Sequence, residues 1–281
     1  MLSWILEPIS YQFMQNALTI GVLIGILCPV VGTYLIVQRM SLLGDVMAHS
    51  VLPGLAVAFY WKINILVGAF VSGMISAVLI AWLRSQTRVK VDAIMALMFS
   101  SFFALGILLI TLLRNRLDLD SFLFGDILSV TREDVWRTGI ITVIVLILVK
   151  LTYKEMLFYT FDPIGAKAVG LPVDLIYLGL MAAVTMTIIA SMQTVGVVLV
   201  VSMLIGPGIS AYLVVKELYG MMRLGAVFGV AAAVGGMYVS YYLNVPSGAA
   251  IVLFNLAIFL VTLFLTSDFK KLIRKFAPEN S

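Results

Sequence analysis

The sequence predicts an all-α integral membrane protein, a polytopic bundle of about nine transmembrane helices, with eight as the alternative. Of its 281 residues, 62% are hydrophobic and only 11% are charged, and the mean hydropathy is +1.13. A soluble protein with this composition could not keep its surface wetted. The apolar runs are mostly ~20 residues long, the length an α-helix needs to cross ~30 Å of hydrocarbon, and they lack the alternation of an outer-membrane barrel.

The whole chain, 1–281, is predicted to form one transmembrane domain. The predicted spans are 13–37, 43–60, 64–83, 92–113, 135–152, 174–190, 193–213, 224–243 and 247–267.

Basic residues set the predicted orientation, because short cytoplasmic loops collect lysine and arginine. The basic loop at 84–90 and the basic cluster at 270–275 are therefore expected on the cytoplasmic side. Counting spans outward from these two anchors places segment 153–173 inside and the mixed-charge segment 114–134 outside. The N-terminus is then outside and the C-terminus inside, which requires an odd number of crossings.

Several other classes of protein are excluded by composition. The net charge of +4 reflects the cytoplasmic bias of basic residues and gives no reason to expect nucleic acid as a partner. A single cysteine, Cys28, excludes an intramolecular disulfide or a multi-cysteine metal site. The phosphate-binding pattern G-x-x-x-x-G-K-[ST] does not occur, so the chain is not expected to hydrolyse ATP itself. Because no lysine or arginine precedes the first apolar run, which follows Glu7, a cleaved secretory signal is not expected.

Asp45 and His49 form the candidate metal site. His49 is the only histidine in the sequence, and it lies four residues after Asp45. At that spacing on a helix, a carboxylate oxygen and an imidazole nitrogen project from one face and can bind one divalent transition-metal ion. Further ligands would come from water, backbone carbonyls, the Met47 thioether or a symmetry-related copy. The alternative is that Asp45 only caps the helix and His49 is hydrogen-bonded one turn later.

Two segments rich in proline and glycine are predicted to interrupt helices. Pro53 and Gly54 follow His49 closely, and a proline there removes a backbone hydrogen bond, so a kink is expected beside the metal pair. The second segment is Gly206, Pro207 and Gly208. Broken backbone in a membrane is tolerated next to a cavity and is a frequent marker of a transport site. A plain loop at the end of a helix is the alternative for the second segment.

Segment 161–172 has the signals of a short helix outside the membrane. Asp162 can cap its start and Pro163 suits its first position, whereas Gly170 and Pro172 can end it. Such an amphipathic helix of one to two turns has the shape of a docking element. The alternative is a connector lying on the lipid headgroups.

These segments resemble the membrane subunits of bacterial ATP-binding-cassette importers for manganese, zinc and iron. The resemblance lies in runs 38–54, 122–128, 161–172 and 195–207 and extends over nearly the whole chain. It implies a homodimeric permease of the bacterial plasma (inner) membrane, with the cobalamin-importer-like, or type II importer, fold. Each copy would bind a separate cytoplasmic ATPase, and an extracytoplasmic metal-binding protein would deliver the ion.

The same resemblance implies roles for individual residues. Asp45 and His49 would bind the metal in the translocation path. The short helix would couple the permease to the ATPase through the residues that match the family pattern, which are Asp162, Pro163, Ala166 and Gly170. The transported substrate would be Mn²⁺, with Zn²⁺ or Fe²⁺ as alternatives, and no permanently bound cofactor is expected.

Two other functions remain possible from the residues alone. A secondary transporter driven by an ion gradient would normally need further buried carboxylates, and the apolar spans offer very few. A siderophore or cobalamin permease of the same fold would have less use for an Asp/His pair. A site with oxygen and nitrogen ligands is compatible with Mn²⁺, Zn²⁺ or Fe²⁺, and the preference for manganese depends on the resemblance of the Asp45 region.

Overall fold

The structure is a computed structural model that describes residues 7–8, 10–113, 125 and 127–266. Helices account for most of these residues, and no strand lies among them. The helices are α1 (Gln12–Val37), α2 (Leu42–Ser50), α3 (Leu52–Trp61), α4 (Ile65–Gln86), α5 (Val91–Leu112), α6 (Arg132–Leu151), α7 (Tyr153–Phe161), α8 (Pro163–Ala168), α9 (Val173–Val195), α10 (Val197–Val214), α11 (Leu218–Leu243) and α12 (Ser247–Leu265), with a 3₁₀ turn at Ile127–Ser129 before α6.

The lengths of these helices confirm the membrane class. Within the described residues, eight helical segments are long and apolar enough to cross a bilayer, and α2 with α3 counts as one of them. A ninth is obtained if α6 and α7, which meet at an angle of 68°, are taken as one bent span. The nine predicted spans therefore correspond to these nine segments, and 135–152 is the one that qualifies only together with its neighbour.

Contacts between helix ends divide the bundle into two faces. At one end, the Gln38 side-chain amide donates to the Thr160 hydroxyl at 3.2 Å, which joins the end of α1 to α7. We call this end, which also bears α8, the α8 face. At the other end, the Asn16 amide donates to the Val130 carbonyl at 3.1 Å, which joins the start of α1 to the segment before α6. The helices therefore run alternately between the two faces, as a multi-pass protein requires.

The centre of the bundle is the contact between α1 and α11, which is made through glycines. A Cβ built on Gly25 would lie 2.8 Å from the carbonyl carbon of Gly229, and one on Gly225 would lie 3.2 Å from the Cβ of Pro29. Without side chains at these positions, the two backbones approach closely and gain dispersion contacts that lipid cannot supply.

The helix interruption predicted at Pro53 lies at Val51, two residues before the proline. Helix α2 ends at Ser50 and α3 begins at Leu52, so that Pro53 occupies the first turn of α3, where its missing N–H costs no hydrogen bond. Gly54 then packs directly on Gly68 of α4, because a Cβ at Gly54 would overlap the Gly68 carbonyl oxygen.

The interruption predicted at residues 206–208 is wrong. Helix α10 continues through Pro207, and the glycine beside it serves packing: a Cβ on Gly206 would overlap the Asn255 amide of α12. Prolines are tolerated inside membrane helices when neighbouring helices shield the freed backbone groups. The chain instead breaks at Gly196, between α9 and α10, where φ is 79°. Glycine adopts such a value without strain.

We expect Gly54→Ala to destabilise the protein, because the new methyl group must push α3 away from the α4 backbone. Overpacking of this kind costs about 1–3 kcal/mol. The measurement is the midpoint of thermal unfolding in detergent, which should fall by several degrees.

Gly179→Ala is the matched control for this change. A Cβ at Gly179, in the second turn of α9, would meet no atom within 4 Å. Its midpoint should not fall, because alanine favours a helix over glycine by about 0.5–1 kcal/mol. Equal midpoints for the two variants would contradict the close contact of α3 with α4.

Candidate functional site

Asp45 and His49 lie one turn apart on α2, as their spacing predicts. The His49 Nε2 and Asp45 Oδ1 atoms are 3.6 Å apart. This separation is longer than a hydrogen bond. The Asp45 side chain is 43% exposed and the His49 side chain 12% exposed. The pair thus lies at the surface of the single chain.

The separation of the two atoms suits a shared metal ion. Ligands bound to one ion at ~2.0–2.2 Å with tetrahedral angles lie roughly 3.4 Å from each other. Among the described residues, no group of three or more His, Cys, Asp or Glu side chains could hold a metal. If an ion binds this pair, completion of its coordination shell from the described part of the chain is left to water, backbone groups or a second chain.

Two phenylalanines of α5 hold the His49 ring. The ring centroid lies 4.7 Å from that of Phe99 and 5.1 Å from that of Phe103, and both contacts are edge-to-face. The two phenylalanine rings are nearly parallel, at 10° to one another. His49 Nδ1 is buried and has no hydrogen-bond partner among the described residues, so these aromatic contacts fix the imidazole. Sequence analysis missed Phe99 and Phe103. Their spacing of four residues places them on one face of a helix, but it does not indicate that this face contacts His49.

Packing of α2 leaves one face of the helix uncovered. On the inner side, Gly44 lets α10 approach so closely that a Cβ would lie 2.6 Å from Leu204 Cδ2. Met47 is also fully buried in the core, on the side of α2 away from Asp45. Leu42 is exposed, three residues before Asp45, and shares its face. The exposed face of α2 therefore carries Leu42 and the metal pair.

Serines of α4 hold the break that follows His49. The Ser72 hydroxyl donates to the Ser50 carbonyl at 2.6 Å, and the Ser50 hydroxyl donates to the Ser76 hydroxyl at 2.8 Å. All three side chains are buried. A carbonyl freed at the end of a helix inside a membrane needs such a partner, because hydrocarbon offers none. The two serines of α4 thereby fix the last residue of α2, next to His49.

Helix α8 has the capped form that its sequence predicts. The Asp162 carboxylate accepts a hydrogen bond from the Gly165 N–H at 2.8 Å, and Pro163 occupies the first position of the helix. The helix ends at Ala168. Gly170 then adopts a φ of 88°, and its N–H donates to the Lys167 carbonyl at 3.1 Å. The cap bond and the first-turn proline explain why the helix begins with Asp-Pro, and the positive φ explains why a glycine follows its end.

The exposed surface of α8 and the residue after it carries large apolar side chains beside the charged Lys167. Ile164 is 84% exposed, and Val169, just beyond the end of the helix, is also exposed. Ala166 is fully buried on the inner side. The helix therefore rests on the protein through Ala166 and presents large aliphatic side chains outward, which is the anatomy of a docking surface.

Two predicted features lie partly outside the described residues. Of the exterior segment 114–134, residues 114–124 and 126 are not described, and they include most of motif 122–128. The basic cluster at 270–275 also lies outside the described residues.

Comparison with known sequences identifies related proteins along almost the entire chain. The profile of the ABC 3 transport family matches residues 10–266. The manganese transport system membrane protein MntC of Halalkalibacterium halodurans is 42% identical over 259 residues, which cover 92% of this chain and 89% of that protein. The manganese import system permease protein ScaB of Streptococcus gordonii is 38% identical over 266 residues, covering 95% of this chain and 96% of that protein.

A solved structure has the same fold. In PsaBC from Streptococcus pneumoniae in complex with Fab, the matching chain superposes with a TM-score of 0.87 at 36% sequence identity. The superposition covers 98% of this chain and 99% of that chain. The polytopic helical fold predicted from the sequence is thereby confirmed.

Ser72→Ala should weaken the junction beside His49. The substitution removes the hydroxyl that satisfies the buried Ser50 carbonyl, and an unsatisfied buried polar group costs about 1–3 kcal/mol. The thermal midpoint in detergent should therefore fall.

Ser100→Ala serves as the control. Ser100 is exposed on α5, and in the part of the chain that the structure describes its hydroxyl donates only to the Ala96 carbonyl of its own helix. Equal stability of the two variants would contradict the role assigned to Ser72.

Proposed function

The chain belongs to the ABC 3 transport family, and from this membership and the site geometry we propose that it is the permease subunit of an ATP-driven importer of divalent metal ions. Mn²⁺ is the favoured substrate. The observation that carries the proposal is the Asp45–His49 pair, 3.6 Å apart on an exposed helix face. Relatives named as manganese transport proteins support the choice of ion. The whole chain acts as one permease domain.

The metal site is completed by a second copy of the chain. Each copy offers two side-chain ligands, and the exposed face of α2 is where a partner would meet them. Two such faces related by a two-fold axis would bring two carboxylates and two imidazoles to one ion. Four ligands of this kind fill a tetrahedral shell, or part of an octahedral one with water.

The α8 face is cytoplasmic in this proposal. This places the C-terminus inside and the N-terminus outside the bacterial plasma membrane. Helix α8 docks into a dimeric cytoplasmic ATPase, and Asp162, Pro163, Ala166 and Gly170 give it the shape that this contact needs. An extracytoplasmic metal-binding protein docks on the opposite face, near segment 114–134.

Transport then requires no covalent chemistry in the permease. The binding protein releases the ion to Asp45 and His49, and closure of the ATPase dimer on ATP moves α8. The bundle consequently switches access to the metal site from the outside to the cytoplasm. Since each copy contributes only two ligands, the ion is held weakly enough to leave.

Selectivity cannot come from intrinsic affinity. For sites of the same ligands, affinity follows an order in which zinc exceeds manganese. A preference for Mn²⁺ must therefore arise from the geometry of the assembled site and from the protein that delivers the ion. Zn²⁺ and Fe²⁺ are the substrates that an uptake competition must test.

Asp45→Asn and His49→Gln should each reduce uptake of radioactive manganese at least about tenfold in a strain lacking its own importer. Each substitution weakens one ligand per copy, so a symmetric site loses strength twice, and loss of a single supporting group at a metal site already costs ~10–100-fold.

Asp92→Asn is the matched control for both substitutions. Asp92 is an exposed carboxylate in the first turn of α5, on the α8 face. The amount of permease in the membrane and its recovery with the ATPase should not change in any of the three variants. Normal manganese uptake by the Asp45 and His49 variants would refute the site.

Ile164→Asp should reduce recovery of the ATPase with the tagged permease by about tenfold, because it places a charge at the centre of an apolar contact. Since Ile164 is 84% exposed, the permease should still fold.

Ile63→Asp is the control, since Ile63 is an exposed isoleucine in the α3–α4 loop on the opposite face. Full recovery of the ATPase by the Ile164 variant would exclude α8 as the docking element.

A further inference from the structure

A groove open at the outer surface of the bundle is not used by the proposed transport path. It has a volume of about 740 Å³ and lies between α1, α6 and α11. Its walls are apolar and include Ile26, Val30 and Ala226. At its mouth are Lys150 and Arg223, which are the only charged residues among the described residues that line it. The metal pair lies on α2, which is not one of these helices.

The two basic groups are available for an anion. Within the described residues, neither Lys150 nor Arg223 has a carboxylate within 4.0 Å. Arg223 is held in place, because its guanidinium lies 4.0 Å above the Tyr219 ring and donates to the Tyr219 hydroxyl at 2.8 Å. Only one of its five N–H groups is used in that bond, so the others can bind phosphate oxygens.

The aromatic residues at the mouth locate it at the membrane interface. The rings of Tyr153 and Tyr219 meet edge-to-face, with centroids 6.0 Å apart, and join the start of α7 to the start of α11 on the α8 face. Tyrosines at headgroup level are typical of this region. Lys150 lies in the last turn of α6, at the same level.

The depth of the groove matches one leaflet. Ile26 lies about 16 Å along α1 from the end of that helix at Val37, at ~1.5 Å per residue. Half of a ~30 Å hydrocarbon core is about the same distance. A ligand that fills the groove must therefore be anionic at the interface and apolar down to the bilayer centre.

We propose that this groove binds one anionic phospholipid, with its phosphate between Lys150 and Arg223 and an acyl chain along α1 and α11. Basic pockets between transmembrane helices recognise anionic headgroups in this way. Unpaired basic residues near helix ends can also reach out to bulk lipid, but the Tyr219 contacts fix Arg223 over the groove. The proposal is independent of the transported ion.

The test uses the full chain purified with its ATPase in detergent. Native mass spectrometry measures binding of phosphatidylglycerol and of phosphatidylcholine with the same acyl chains. Lys150→Ala/Arg223→Ala should weaken phosphatidylglycerol binding about tenfold and leave phosphatidylcholine unchanged. Lys154→Ala/Arg88→Ala removes the same charges from the α8 face outside the groove and should bind as wild type does. Ala226→Trp fills the apolar part and should also weaken phosphatidylglycerol binding.

Several outcomes would overturn the proposal. Equal phosphatidylglycerol binding by the wild type and the Lys150/Arg223 variant would remove the charged site. Unchanged binding by Ala226→Trp, with loss in the charge variant, would mean that only a headgroup or free phosphate is held. Dissociation of the dimer by Ala226→Trp would identify the occupant as a second copy, and equal affinity for both lipids would reduce the groove to ordinary lipid contact.

Discussion

The structure depends on one constraint: a membrane offers no water to a backbone group that a helix leaves unbonded. The α2–α3 break creates such a group at Ser50, one residue after His49. Ser72 can reach it only because Gly54 and Gly68 let α3 and α4 touch backbone to backbone. The glycine contact, the serine bond and the histidine position are therefore steps of one arrangement. Without the glycine contact, Ser72 would no longer reach the Ser50 carbonyl, and the end of α2 beside His49 would lose that support.

The proposed metal site combines a rigidly held histidine with a carboxylate that few contacts restrain. The His49 ring is held by Phe99 and Phe103, and the serine bonds hold the next residue, Ser50, so the ring does not need a metal to be oriented. Asp45, in contrast, is half exposed and has few constraints. In the proposed transport role, the preorganised histidine would lower the cost of capturing the ion, and a coordination shell completed by other molecules would allow the ion to leave.

Features that depend on neighbouring residues could be predicted from the sequence, whereas contacts between distant helices could not. The Asp45–His49 spacing, the Asp162 cap and the Gly170 end each depend on a few neighbouring residues, and the structure has their geometry as expected. The partners of His49 on α5 are about fifty residues away along the chain, and a single sequence gives no signal for that contact. The prediction of a helix break at 206–208 is wrong for the same reason, since it too depends on a contact with a distant helix. Its composition is typical of a break, but Asn255 of α12 occupies the space beside Gly206 and the helix continues.

The interlocked glycines of α1 and α11 limit which movements the protein can make. The backbones of α1 and α11 touch at Gly25 and Gly229, so a sliding or rotating movement of one helix against the other would cause steric overlap. The two helices therefore move as one rigid unit. Any exchange of access must therefore bend the chain outside this pair of helices. The chain breaks outside the pair at Val51, between α2 and α3, and at Gly196, between α9 and α10. The break at Val51 directly follows α2, so bending there would change the positions of Asp45 and His49, the proposed metal ligands.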